Sequence, residues 1–190
     1  GRRGIRMKFF PENPILVYRP FHLNERNYLY LADRGRIYGD VRLFDDQGTG
    51  IHFYTNREDT IADQEMTVEL SRIDLKQFKK VLPYLPDVEC WLGGSAHYVD
   101  SEGQMMLSAD VSLDHFVYEK SPLGNWTMNG VYLPGDNNAH HVDGFITHND
   151  QEIIYMNGIY QADETGQENI TGELELQHFP LWVINPFIPD

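Results

Sequence analysis

Hydrophobic and polar residues alternate along many short segments of the chain from Ile37 onward. Ile37, Val41 and Leu43 stand at every second or fourth position between more polar neighbours, and a turn follows at 45–48. The same period of two returns at 51–56, 66–70, 91–99, 105–116, 126–132, 142–147, 153–158 and 170–176. Strict alternation is typical of strands that have one buried face and one solvated face. Short strands separated by frequent turn residues predict an all-β chain built of sequential hairpins.

Glycine recurs inside these alternating segments. A glycine within a strand marks a bulge, a strong bend or a close approach of another backbone. The glycines concerned are Gly39, Gly93, Gly94, Gly130, Gly144, Gly158 and Gly172. Recurrent bending favours a sheet that curls. The predicted fold is therefore all-β: a curled, antiparallel, meandering open sheet (a β-taco or half-barrel) built of repeated strand units, with one or two short helices.

One segment has the spacing of a helix instead. Its apolar residues Leu75, Phe78, Val81 and Leu82 lie at intervals typical of one helix face, and prolines at 83 and 86 end the pattern. We expect a helix of about two turns between Leu75 and Leu85 that covers an open end of the sheet.

The chain divides into two regions. Residues 1–36 contain a proline-interrupted apolar stretch and form an N-terminal strand region, in which 28–31 has the aromatic and aliphatic content of a strand. Residues 37–190 form the curled repeat domain. The chain begins without Met and ends inside a repeat unit, so we expect it to be a fragment of a longer protein.

A seven-residue pattern occurs three times, at 72–78, 110–116 and 173–179. Each copy reads polar, aliphatic, polar, Leu, polar, Gln or His, Phe. The third copy is followed by 184–190, which resembles the segment 82–87 after the first copy. Internal repeats of this kind indicate an array of similar structural units. The unequal intervals between the copies favour a loose array with insertions over a strict solenoid.

The aliphatic positions of the alternating segments form one predicted face. Its members are Ile37, Val41, Leu43, Met66, Val68, Leu70, Leu107, Val111, Leu113, Trp126, Met128, Leu174 and Leu176. A closed sandwich would bury this set against a second sheet, whereas a curled open sheet would leave an apolar groove. Alternation alone is compatible with both arrangements.

The composition excludes several classes of partner. The chain has 190 residues and a formal net charge of -14. Nucleic acids and anionic lipid surfaces both attract Lys and Arg, so this charge argues against docking on either. A single cysteine, Cys90, excludes an internal disulfide framework.

Polar residues concentrate near 136–148, where histidine and carboxylate groups could bind zinc or calcium. They are Asp136, Asn137, Asn138, His140, His141, Asp143 and His148. The neighbours His140 and His141 point to opposite faces of a strand, and no second ligand pair has the spacing of a zinc site. We therefore expect a polar hairpin loop, no metal and no cofactor.

Sequence motifs for catalysis are missing. There is no nucleophile elbow, phosphate loop or paired-cysteine motif. Asp45 and Asp46 lie in a turn and could form a glycosidase-type carboxylate pair, but no other feature of the sequence supports that role. His115 and His178 occupy the repeat position that holds Gln77 in the first copy, which indicates hydrogen bonding near a strand end. We expect no enzymatic activity.

The order of strand, short helix, Pro-Asp, Gly and strand gives the chain a family resemblance. The segment Leu82–Asp87 and the following Leu92–Gly94, with the three repeat copies, resemble the TamB and AsmA-like bacterial envelope proteins, most of all their Bacteroidetes-type versions. The resemblance covers 37–190. Unlike that family, this chain is rich in His, Gln and Asn and spaces its copies unevenly.

The resemblance implies a function. Such proteins are periplasmic, anchored in the inner membrane by an N-terminal helix, and associated with phospholipid movement and with outer-membrane protein assembly. We therefore expect the apolar concave face to carry phospholipid acyl chains, or to assist the outer-membrane assembly machinery. Two alternatives stay open. One is a carbohydrate-binding or hydrolytic β-sandwich that uses Trp91, Trp126 and Trp182 with Asp45 or Asp143, and the other is a purely structural spacer domain with a closed core.

Overall fold

The alternating segments form long, sequentially paired strands in the computed structural model of the chain. The structure describes residues 4–10, 14–16, 18–56, 63–79, 84, 86–135, 139–162 and 168–188, with the backbone alone for 78 and 162. The strands are β1 Ile5–Met7, β2 Ile15–Leu16, β3 Arg19–Pro20, β4 His22–Leu23, β5 Tyr28–Leu31, β6 Ile37–Phe44, β7 Gly50–Thr55, β8 Gln64–Asp74, β9 Val88–Ser101, β10 Gln104–Tyr118, β11 Ser121–Pro134, β12 Ala139–His148, β13 Gln151–Ala162 and β14 Glu168–Leu176. Among the described residues, the helices are α1 Leu75–Phe78 and two 3₁₀ helices, Asp33–Gly35 and Leu181–Phe187.

One antiparallel sheet contains most of these strands. Over the part of the chain that the structure describes, it has 12 strands in the order β1, β5 and then β6 to β14 in sequence, and β4 pairs with β6 outside this path. The sheet does not close on itself, so β1 and β14 are its two edges. The prediction of an all-β, curled, open meander with few short helices is confirmed. The sheet also extends upstream of Ile37, because β1, β4 and β5 belong to it.

Tight turns join several of the long strands. The pairs Glu102–Gly103, Glu119–Lys120 and Asn149–Asp150 each have positive φ at both residues. Positive φ at both central residues is the requirement of a type I′ hairpin turn, whose twist matches that of the paired strands. The turns therefore continue the antiparallel register from β9 to β10, from β10 to β11 and from β12 to β13.

A residue with positive φ ends the regular pairing of β8, β10 and β14. Arg72 in β8, His115 in β10 and His178 just after β14 have φ of 49°, 55° and 50°. The register shifts at this point in β8 and in β10, as in a β-bulge. The chain bends at the same end of the sheet in all three cases.

These residues correct the alignment of the first repeat. With Arg72 equivalent to His115 and His178, the first copy is Thr67–Ile73, five residues upstream of the predicted 72–78. The prediction was wrong because 72–78 spans the end of β8 and the start of α1. Helix α1 ends at 78, shorter than predicted, and 80–83 and 85 lie outside the described residues.

The hydrophobic core is concentrated at this end of the sheet, which we call the covered end. The hairpin β2–β3, helix α1 and the 3₁₀ helix Leu181–Phe187 all lie here. The Tyr118 and Phe187 rings stack at 4.4 Å, and those of His148 and Trp182 lie 5.8 Å apart. The buried hydrophobic residues at this end are Phe21, Cys90, Leu123, Ile153 and Val183. The other end, where β6 begins and β9 ends, is called the open end below.

Two pairs of directly opposed glycines bring neighbouring strands close together, Gly130 with Gly144 and Gly158 with Gly172. A Cβ on Gly144 would lie 2.6 Å from the Asn129 carbonyl oxygen, closer than any real side chain allows. The neighbouring backbone thus occupies the space where a side chain would start. A sheet bends towards the face on which backbone replaces side chains, so these pairs allow it to curl.

Candidate functional site

The cross-strand register places the aliphatic positions of the long strands on one side of the sheet. Directly opposed residues on neighbouring strands point to the same side. One row of opposed residues runs from β6 to β14: Leu43, Ile51, Leu70, Gly94, Val111, Met128, Ile146, Ile154 and Leu176. We call the side that carries this row the apolar face, and the other side the polar face.

Every residue of the predicted groove lies on the apolar face. They are Ile37, Val41, Leu43, Met66, Val68, Leu70, Leu107, Val111, Leu113, Trp126, Met128, Leu174 and Leu176. None of them is buried; the exposed members are Leu107, Met128, Leu174 and Leu176, and the others are half-buried. Within the described residues, the second sheet is only the two-stranded hairpin β2–β3. A sandwich core would have buried this set.

A cavity of about 630 Å³ lies on the apolar face at the covered end. Its floor comes from β6 to β9, and its roof from the segment around β2 and β3 and from α1. The apolar lining residues are Leu16, Phe21, Leu43, Ile51, Leu70, Ile73, Leu75 and Leu92. Arg19, Asp74 and Gln77 supply polar groups at its border. The apolar face therefore ends in a partly roofed hydrophobic pocket.

Aromatic residues with polar atoms border the apolar face towards the open end. His140 lies between the rings of Tyr132 and Tyr160, with centroids 5.8 Å and 5.6 Å away. The Tyr132 hydroxyl and His140 Nδ1 are hydrogen-bonded at 2.6 Å. Tyr98 on β9, two strands away from Tyr132, points to the same side, because it is directly opposed to Leu107 of the apolar face. Such rings suit a boundary between apolar material and water.

The polar face carries cross-strand hydrogen bonds. His52 Nε2 lies 3.0 Å from Asp40, and its Nδ1 lies 3.7 Å from Glu69. The Tyr54 hydroxyl donates to Glu69 at 2.8 Å, and this bond, with burial, raises the pKa of Tyr54. Charged and hydrogen-bonding groups on this side are compatible with water contact. From β6 to β10 the two sides of the sheet therefore differ in chemistry, whereas on β11 to β13 the polar face also exposes Leu133, Phe145 and Ile159.

The structure separates the polar residues near 136–148. His140 lies on the apolar face and His141 on the polar face, as the alternation predicted. His148 is buried, with its Nε2 atom 2.9 Å from the Leu123 carbonyl oxygen. Residues 136–138 lie outside the described part of the chain. Within that part, no cluster of three or more His, Cys, Asp or Glu side chains could hold a metal ion.

The carboxylates considered for hydrolysis make structural hydrogen bonds. Asp45 is buried and accepts the backbone N–H groups of Gln47 and Thr49 at 2.9 Å and 2.8 Å. Burial alone would raise the pKa of Asp45, but these bonds and Arg19 outweigh it and lower the pKa. Asp143 accepts a hydrogen bond from Tyr155 on the polar face. Asp46 instead contacts His22, at 3.1 Å.

The three tryptophans do not share a surface. Trp91 lies on the polar face, opposed to Asp74 and Asp114. Trp126 lies on the apolar face, Trp182 belongs to the C-terminal 3₁₀ helix, and both rings lie beside that of His148. Sugar-binding sites place aromatic rings and carboxylates around one ligand. Of the tryptophans, Trp91 has carboxylates as register partners, and the Arg72 guanidinium lies 5.7 Å from its ring centroid.

Several residues of the apolar face were missing from the predicted set. Ile51, Leu92, Ile146 and Ile154 lie in the same rows as the predicted residues. Each stands at an apolar position of an alternating segment. Applying the alternation to every position of those segments would therefore have identified them. The roof residues around β2 and β3 gave no such signal, because their contact with the sheet is long-range.

No helix among the described residues is long and apolar enough to cross a membrane. Comparison with known proteins finds no matching family model, no matching curated protein and no matching solved structure.

Proposed function

We propose that the chain is a non-enzymatic, TamB/AsmA-like envelope segment of the periplasm whose apolar face carries phospholipid acyl chains. One observation supports this most strongly: an apolar face runs across the sheet from β6 to β14, and its residues stay half-buried or exposed. Hydrophobic surface that stays partly exposed over neighbouring strands is typical of interaction surfaces and ligand-binding grooves.

The dimensions of the face fit acyl chains. From Ile37 to Leu43 the strand β6 advances six residues, about 20 Å at ~3.3 Å per residue. One leaflet of a bilayer holds its acyl chains within about 15 Å, half of the ~30 Å hydrocarbon thickness. A phospholipid lying parallel to the strands can therefore place its tails between the open end and the pocket at the covered end.

The energy of such an interaction favours movement over permanent capture. Burial of an acyl chain gains up to ~0.8 kcal/mol per methylene, so a half-covered chain of about fourteen carbons gains roughly 5–6 kcal/mol. A phospholipid has two chains and gains about twice this amount, against roughly 22 kcal/mol for full burial of both chains in a bilayer. The apolar face therefore holds the lipid less firmly than a membrane does, so the lipid can exchange.

The border of the face favours lipid over another apolar occupant. Tyr98, Tyr132, His140 and Tyr160 place hydroxyl and imidazole groups where the apolar face meets solvent at the open end. Aromatic rings with one polar atom are enriched where hydrocarbon meets headgroups. A protein partner packed against the whole face would not require this gradient from apolar pocket to aromatic border.

The edge strand β14 supports a second candidate function, assistance in outer-membrane protein assembly. All residues of β14 are exposed, and Ile170, Leu174 and Leu176 have exposures of 80%, 64% and 61%. An edge strand with free backbone groups and alternating apolar side chains can accept an added strand. An unfolded β-segment is a partner of that chemistry.

Native mass spectrometry after incubation with phospholipid vesicles tests the lipid proposal. We compare the chain with Met128→Glu, which places a charge on the apolar face, and with Asn129→Glu, which places the same charge one residue away on the polar face. We expect phospholipid adducts on the wild-type chain and on Asn129→Glu, and at least a tenfold loss on Met128→Glu, because burying a charge beside acyl chains is costly. Equal adducts on both variants, or none on the wild-type chain, would refute the proposal.

A further inference from the structure

A second cavity of about 430 Å³ lies at the open end, where the apolar face begins. We call it the mouth. Ile37, Met66 and Tyr98 contribute the apolar side of its lining, and all three belong to the apolar face. The polar side consists of Arg34, Arg36, Asp63, Gln64 and Asp100. The mouth therefore places charged side chains directly beside the proposed acyl-chain site.

Three polar residues of the mouth are occupied by contacts within the fold. Arg36 forms an ion pair with Asp63, and the second carboxylate oxygen of Asp63 accepts the backbone N–H of Glu102 at 3.0 Å. The Gln64 side chain accepts the backbone N–H of Ile37 and donates to its carbonyl oxygen, both at 2.7 Å. These groups shape the mouth, and their charges or dipoles are already balanced.

Two opposite charges remain. Arg34, held at a φ of 63° in the 3₁₀ helix, forms no ion pair or hydrogen bond with the described residues. The Oδ1 atom of Asp100 is buried and, within the described structure, has no hydrogen-bond partner. A buried carboxylate oxygen without a donor is costly, because it has lost its contact with water, and a cation held beside the carboxylate would offset that cost. Among the described residues, the mouth therefore offers one cation and one carboxylate that have no partner within the fold.

We propose that the mouth binds a phospholipid headgroup that carries a primary ammonium beside its phosphate, with Arg34 on the phosphate and the Asp100 carboxylate on the ammonium. This inference rests on the proposed function, because the acyl chains would occupy the apolar face. A guanidinium matches phosphate oxygens, and an ammonium supplies the N–H donors that a carboxylate accepts. The tails then point towards the pocket at the covered end.

Headgroups of other chemistry fit the mouth less well. A quaternary ammonium has no N–H, so it cannot donate a hydrogen bond to Asp100. An anionic headgroup without an amine, such as a glycerol headgroup, brings no cation to this carboxylate, on a chain whose formal net charge is -14. The mouth is therefore selective for hydrogen-bond donors on the headgroup as well as for charge.

Competition between two zwitterionic lipids tests this selectivity at constant net charge. The chain is incubated with vesicles of equal parts phosphatidylethanolamine and phosphatidylcholine with identical acyl chains, separated from them, and its bound lipids are quantified by mass spectrometry. We expect phosphatidylethanolamine to be enriched about fivefold, the effect of one partly exposed charge-assisted hydrogen bond. Asp100→Asn should bring the ratio close to one, because phosphatidylethanolamine then loses its additional hydrogen bond.

Matched variants separate this site from general charge effects. Asp110→Asn removes the same charge from the polar face and should keep the fivefold preference. Arg34→Gln should weaken the binding of both lipids alike, because both carry the phosphate. Equal binding of the two lipids by the wild-type chain, or an unchanged preference in Asp100→Asn, overturns the headgroup proposal and leaves lipid carriage standing. No bound lipid of either kind overturns both.

Discussion

The paired glycines give the sharpest prediction of the fold. Gly130 and Gly144 are direct cross-strand partners, but their surroundings differ. A Cβ on Gly144 would lie 2.6 Å from the Asn129 carbonyl oxygen, whereas a Cβ on Gly130 would lie 3.8 Å from the Asp143 carbonyl oxygen, an ordinary contact. Gly144→Ala therefore forces two backbones apart, and Gly130→Ala does not.

The magnitudes follow from these distances. Forcing atoms into a filled site costs about 1–3 kcal/mol, so we expect Gly144→Ala to lower the free energy of unfolding by about that amount. Gly130→Ala should raise it by about 0.4–1 kcal/mol, because alanine restricts the unfolded chain. The two variants then differ by about 1.4–4 kcal/mol, or ~0.7–2 M in the urea midpoint at a slope of ~2 kcal/mol/M.

Equilibrium urea unfolding followed by tryptophan fluorescence measures this difference. The second glycine pair is an internal comparison. A Cβ on Gly172 would lie 2.7 Å from the Asn157 carbonyl oxygen, and one on Gly158 would lie 3.7 Å from that of Thr171. Gly172 belongs to the edge strand β14, which can move outward. Gly172→Ala should therefore lower the free energy of unfolding by less than Gly144→Ala does. Identical midpoints for Gly130→Ala and Gly144→Ala would refute the close strand approach and with it the curl.

Three further predictions concern single residues. His115→Val should lower the free energy of unfolding by about 1–2 kcal/mol, because a β-branched residue fits a φ of 55° poorly, whereas His115→Asn should be tolerated. Asp45→Asn should lower the free energy of unfolding by about 1 kcal/mol at pH 7. Because the folded pKa of Asp45 is lowered, the wild-type advantage should be complete above pH ~4 and vanish as the pH falls further. Burial, with Asp74 and Asp114 nearby, raises the pKa of Cys90, so the folded thiol should resist alkylation at pH 8 and react quickly in urea.

Each of these has a clear contrary result. Equal urea midpoints for the valine and asparagine variants at 115 would contradict the strained backbone there. A wild-type advantage over Asp45→Asn that grows in acid would reverse the sign of the linkage. Equal alkylation rates for Cys90 in folded and unfolded protein would contradict its burial.

Alternation in the sequence indicates which side of the sheet a residue occupies, for a physical reason. Antiparallel hairpins with tight turns keep opposed residues on the same side, so alternation within each strand is carried across the sheet. This is why residues as distant in sequence as Leu43 and Leu176 lie in one row. Periodicity could not show whether a second layer covers that row, because coverage depends on long-range packing.

Other features had weak or misleading local signals. The turn Glu119–Lys120 lacks the Gly or Asn that type I′ turns prefer, so the sequence did not mark the boundary between β10 and β11. The first repeat was misaligned because the segment 72–78 matches the pattern in composition but folds partly as α1. The left-handed residue at 72, equivalent to His115 and His178, became visible only from backbone conformation.

The charged mouth could not be predicted from sequence. Arg34, Asp63 and Asp100 are far apart in the chain, and the register of β8 with β9 places Gln64 opposite Asp100. Neither a motif nor a regular spacing connects them. The pairing of the strands brings these residues together, so the site can be identified only once that pairing is known.

The most direct test of the central claim is photo-crosslinking with a phospholipid that carries a diazirine in its acyl chain, followed by peptide mapping. We expect adducts on residues of the apolar face, such as Val111, Met128 and Ile146, and few on their polar-face neighbours Asp110 and Thr127. Labelling spread equally over the two faces, or confined to the polar face, would contradict lipid carriage on the apolar face.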